Sequence, residues 1–173
     1  MGIISHELAH AIIFLEREST MINLISTTTI ERPVKQVFDF ISTAKNDVQW
    51  QYGALAASQL TRHPIGLGTL FSSFSHFMGR RLQSKFEVTE YEPNKKYGFR
   101  SLSGPIQTET SYHFESCQDG TRVAANLQVK QSGFFQMTDA FVARFAKKQL
   151  NDNLNALKNF LEADQHLTLA AQP

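Results

Sequence analysis

Residues 134–161, FFQMTDAFVARFAKKQLNDNLNALKNFL, form the last and longest apolar-periodic run of the chain. The run holds no Gly or Pro, is rich in Ala, Leu, Lys and Gln, and follows Gly133, so the spacing predicts one long helix. At about 100° per residue, Phe135, Val142, Ala143, Ala146, Leu150, Leu154, Leu157 and Leu161 share one broad face that suits a sheet. Ala143 and Ala146 are small, so this face leaves space over whatever it covers. Phe134, Met137, Phe141 and Phe145 project to roughly the opposite side. A lone domain does not readily expose such a ridge, so it is expected to be covered by the apolar segment 4–15 or by a second subunit in a homodimer.

Working back from this helix, the chain reads as strands. The stretch 107–116 and the alternating 122–130, with Val123, Ala125, Leu127 and Val129 on one side, flank the hairpin signal Asp119-Gly120. Further strands are expected over 97–103, 81–91, 69–77 and, as an edge, 54–62. They are separated by Gly104-Pro105, Glu92-Pro93-Asn94, the turn beyond Phe77, and a break from His63-Pro64 to Gly68. Before them, 23–31 is β-branched and alternating. Pro33 ends that strand and opens a short helix on which Val34, Val37, Phe38 and Ile41 recur, and a second turn or helix over 46–52 carries Trp50. Strands joined by short turns imply an antiparallel meander, and helices segregated from it imply an α+β domain.

Length and composition suit one domain with a full core: 173 residues, 42% hydrophobic and 19% charged. A formal net charge of +1 without dense Lys/Arg stretches argues against nucleic acid. No apolar run approaches the roughly 18 residues that a membrane-spanning helix needs. The first 15 residues lack a basic leader and a small-residue cleavage site, so they are not read as a targeting signal. The single Cys117 allows no internal disulfide and suits a reducing compartment, so a cytoplasmic location is expected. The domain expectation is a helical extension over 1–20, a compact domain over 21–163 and a flexible tail over 164–173.

The order of elements, with IERPVKQVFDFIS at 30–42, Trp50 after it, GLGT at 66–69, FEVTEYEPNKKYGFRS at 86–101, DGTRV at 119–123 and the closing LNALKNFLEA, resembles the START-like or SRPBCC superfamily. It is most similar to the polyketide cyclase/dehydrase and lipid-transport branch, over roughly 21–163. The resemblance implies a helix-grip fold, in which a curved antiparallel sheet wraps a long C-terminal helix and encloses an apolar cavity. It implies a hydrophobic or amphipathic ligand, such as a lipid or polyketide, and in some members cyclisation or dehydration. It supplies no catalytic signature for these positions and implies no cofactor.

His6-Glu7-Leu8-Ala9-His10 is a literal HExxH, which on a helix places two imidazoles for zinc. Only five residues precede it and no third ligand is evident, so an amphipathic helix is preferred and no metal is assigned. Phe71, Phe86, Phe99, Tyr112 and Phe114 occupy alternate strand positions that can face inward. Each is either core packing or ligand contact, and Trp50 either lines the mouth of a pocket or fills the core. Together with Val142 and Ala146 on the covering helix they form the candidate ligand-binding set. For acid–base work the inward polar groups are Ser73, Ser75, Ser101, Thr110 and Tyr112, with His76 and His113 of uncertain parity; Cys117 has no activating partner. Three functions stay open: binding or transport of a hydrophobic small molecule, a cofactor-independent cyclase or dehydratase, and an interaction module without a pocket.

Overall fold

The computed structural model describes residues 21–77, 79–104, 106–130 and 139–170. The segment 1–20 with its HExxH, and Phe134, Phe135 and Met137, lie outside these residues. Seven strands, β1 (Met21–Ile30), β2 (Ala54–Gln59), β3 (Leu70–Phe77), β4 (Arg80–Glu92), β5 (Lys96–Ser103), β6 (Gln107–Cys117) and β7 (Gly120–Lys130), form one sheet. Its order is β1-β7-β6-β5-β4-β3-β2, and every pair is antiparallel. Between β1 and β2 run α1 (Val34–Ser42) and a 3-10 helix (Ala44–Gln49), and the chain closes with α2 (Asp139–Ala170). This is the antiparallel α+β meander read from the residues, in the helix-grip arrangement that the resemblance implies. The helix continues to Ala170, through most of the segment read as a tail.

Period-two alternation puts Val123, Ala125 and Val129 of β7, with Tyr112 and Phe114 of β6, on the buried face. Register shifts bend the sheet around that face. One lies between Val88 and Glu90, where the extra residue reverses the alternation: Val88 stays buried, the Tyr91 ring packs at 5.5 Å on Phe38, and Glu90 pairs with Lys96 at 2.6 Å. The β6–β7 turn residues are Gln118 and Asp119, and Gly120 begins β7 at φ 124°. A Cβ at Gly120 would collide with the Ile30 carbonyl, so the close crossing of β1 over the hairpin requires glycine there.

Leu150, Leu154, Leu157 and Leu161 of α2 are buried against the sheet together with Val37, Phe38 and Ile41 of α1. The two helices thus share one core at the end of the sheet where the β6–β7 hairpin lies. The helix also shields the edge strand β1. Lys158 Nζ donates to the Thr29 carbonyl at 2.7 Å, Lys147 donates to the Ile25 carbonyl, and the Glu31 amide donates to Glu162 Oε1 at 2.8 Å. Capping an exposed edge in this way blocks pairing with another chain.

Candidate ligand cavity

The first half of α2 stands off the sheet and leaves a cavity of about 280 Å³. That is near the lower end of the roughly 300–1,000 Å³ typical of small-molecule sites, so the space suits a compact ligand. Phe86, Phe99, Leu127 and Val129 line it from the sheet, and Val142, Phe145 and Ala146 cover it from the helix. Ser73, Ser75 and Ser84 on β3 and β4, with Thr108 and Thr110 on β6, place hydroxyls among the apolar groups. Tyr52 and Phe141, 68% and 50% exposed, mark the rim.

Of the candidate set, the structure brings Phe86, Phe99, Tyr112, Val142 and Ala146 together around this space. Trp50, Phe71 and Phe114 are buried but pack behind the lining instead of joining it. Phe114 lies one step further along β6, where α1 arrives, and meets Phe38 edge-on at 5.3 Å. Phe71 is stacked on Phe86 at 5.2 Å and edge-on to Phe99 at 5.5 Å, so it supports those rings from behind. Trp50 meets Tyr112 at 6.2 Å, and its indole N–H has no hydrogen-bond partner among the described residues.

Among the polar candidates, Ser73, Ser75, Thr110 and Tyr112 reach the cavity. Ser101 does not; its Oγ accepts the Thr108 amide at 2.8 Å. His76 and His113 are exposed, as is Cys117. Phe141 and Phe145 correct the wheel. They line the cavity and do not turn away from the sheet, and Phe145 packs edge-on to Phe77 at 5.4 Å. A curved sheet embraces more of the helix circumference than a flat one, so two adjacent helix ridges face it here. Of the ridge behind the dimer expectation, Phe145 is drawn into the cavity, Phe141 stays half exposed at its rim, and Phe134 and Met137 lie outside the described residues.

One group was missed in the sequence. Asp47, in the 3-10 helix, lines the floor of the cavity with Gln51. Burial pushes its carboxyl up to about 7, against the opposing effect of a hydrogen bond from the Gln51 side chain. Burial, followed by the charge of Asp47, holds the Tyr97 and Tyr112 hydroxyls well above the ordinary tyrosine range. Among the described lining residues, this carboxyl, which exchanges its proton near neutrality, is the one group able to act as acid or base under ordinary conditions. Nothing local marks it, because Ala44–Gln49 reads AKNDVQ, a polar turn whose acid looks solvated.

The fold matches solved structures at low sequence identity. A START superfamily protein from Mycobacterium smegmatis aligns with a TM-score of 0.71 at 16% identity, covering 83% of this chain and 97% of that one. A protein from Thermus thermophilus aligns at 0.65 and 17%, covering 87% and 99%. The di-domain ARO/CYC StfQ from the steffimycin biosynthetic pathway aligns at 0.70 and 12%, covering 88% of this chain and 54% of that one. At these identities the likeness speaks for the fold alone. No curated protein is significantly similar in sequence. Residues 21–162 match the family described as polyketide cyclase / dehydrase and lipid transport, and the chain belongs to that family.

Proposed function

We propose that this protein binds a compact amphipathic small molecule between its sheet and α2. The observation that carries the reading is the cavity of about 280 Å³, where aromatic and aliphatic walls are interrupted by hydroxyls. Such a lining suits a largely apolar ligand that carries a few hydrogen-bonding groups. The family supports the same reading, with a lipid or polyketide as the ligand class. Among the described residues no helix is long and apolar enough to cross a membrane, and the single cysteine agrees with a cytoplasmic location.

The test is the emission of the neutral fluorophore 1-aminoanthracene in the presence of wild type and of Ala146→Trp. Enhancement by wild type and its loss in the folded variant is the expected result. No enhancement by either protein, with native mass spectrometry retaining no apolar ligand from a panel, would sink the reading.

A second reading, a cyclase or dehydratase, is favoured by one observation: Asp47 faces the cavity with a carboxyl that titrates near neutrality. Incubation with a β-ketoacyl thioester and mass analysis of the products tests it. Product formed equally by Asp47→Asn would remove Asp47 from any chemistry.

A further inference from the structure

Charge is distributed unevenly around this cavity. Among the described residues that line it, Asp47 is the only one charged in its ordinary state at neutral pH; no Lys, Arg or His is present. The remaining polar lining consists of hydroxyls and the amides Gln51, Gln149 and Asn153. The segment 131–138 that joins β7 to α2 contains no Lys, Arg or His either.

Resting on the binding reading above, we propose that Asp47 makes this cavity selective for a ligand whose apolar body ends in a protonated amine, and that it rejects apolar carboxylates. Gln51 satisfies part of the carboxyl, and among the described residues lining the cavity the other lone pairs have no cation to meet. Asp47 is half-buried and already partly desolvated by the fold, so an entering ammonium gains the attraction while bearing chiefly its own dehydration. A fatty-acid carboxylate would meet like charge and no counter-ion, which is the kind of repulsion that sets specificity.

The titration of Asp47 gives the proposal a signature. The groups facing it are Tyr97 from β5 and Tyr112 from β6, both protonated near neutrality, while α2 presents the neutral Gln149 and Asn153 to the cavity. Proton loss from Asp47 near neutrality therefore creates the anion that the amine needs. Amine affinity rises with pH, and the affinity of a neutral ligand of the same length does not.

The experiment displaces 1-aminoanthracene with decylamine, decanol and decanoate at about pH 6 and about pH 8, using wild type and Asp47→Asn. The expected order at the higher pH is amine over alcohol over carboxylate, with roughly tenfold between the extremes. Amine affinity should rise several-fold between the two pH values. In Asp47→Asn, amine and alcohol should bind within about twofold of each other, and the ratio between them should no longer change with pH. Dye binding with decanoate equal to or tighter than decylamine overturns this inference and leaves the cavity reading standing, as does an amine preference unchanged in the variant. A flat pH response in wild type overturns it without any variant. Failure of the dye and all three ligands to bind overturns the cavity reading, and this inference with it.

Discussion

Asn153 Oδ1, on α2, accepts the backbone amide of Tyr52 at 2.9 Å. This bond fastens the roof of the cavity to the segment that carries Asp47 and Trp50, and Gln149 Nε2 adds a longer contact to the Tyr52 carbonyl at 3.4 Å. Floor and roof are thus joined across 101 residues of sequence. Asn153→Ala should lower stability by about 1 kcal/mol, because the donor left behind sits at an exposed residue that water can reach. Amide exchange at Tyr52 should quicken more than exchange in β6 or β7, and hydrogen-exchange mass spectrometry measures both.

Asp47 sets a pH dependence of stability opposite to that of the paired acids. Its folded pKa lies above the unfolded value of 3.8, so the native state binds more protons between about pH 4 and about 7. Stability from this group falls as pH rises through that window and is not regained above it. Asp47→Asn should accordingly be more stable than wild type at about pH 8 and similar to it near pH 4. Urea unfolding at the two pH values decides this, and a variant less stable than wild type at the higher pH would contradict the assignment.

Glu162 works the other way. Burial alone would raise its pKa, but the hydrogen bonds from Lys158 and the Glu31 amide, with the charges of Lys158 and Arg32, outweigh burial and lower it. Its contribution is complete above the unfolded value of 4.5 and is lost as pH falls through the lower folded value. Glu162→Ala should cost about 1 kcal/mol at neutral pH and little in strong acid, as read from denaturant midpoints.

Gly120→Ala should be among the most damaging single changes. It combines a backbone at φ 124° with a Cβ driven into the Ile30 carbonyl and within 2.9 Å of the Arg32 amide nitrogen. A loss of about 3 kcal/mol or more is expected, visible as a lower thermal midpoint. By contrast Gly66→Ala meets nothing within 4 Å and should leave that midpoint nearly unchanged.

Ala146→Phe introduces a ring where the roof has only a methyl group. Filling space beside Phe145 and Val142 should leave stability within about 1.5 kcal/mol of wild type while reducing dye binding at least tenfold. Equal dye binding by the variant would place the ligand elsewhere.

By itself the sequence determined the order of elements, the antiparallel meander and the long closing helix. Those depend on periodicity, turn residues and chain proximity, all written locally. It also marked the inward alternation of Phe86, Phe99 and Tyr112, because a strand sends every second side chain to one face. Tertiary structure decided which rings line space and which fill it. Phe114 and Tyr112 are indistinguishable by parity, yet α1 covers one and the cavity opens beside the other. The helix wheel separated Phe141 and Phe145 from the buried face, but the bend of the sheet brought Phe145 into the cavity and Phe141 to its exposed rim. Asp47 shows the limit most clearly: the rise in its pKa comes from burial and its setting from Tyr97 and Tyr112, about 50 and 65 residues away along the chain. Burial by distant elements leaves no mark in the residues beside the acid, so only the assembled fold turned a polar turn into the charged floor of a cavity.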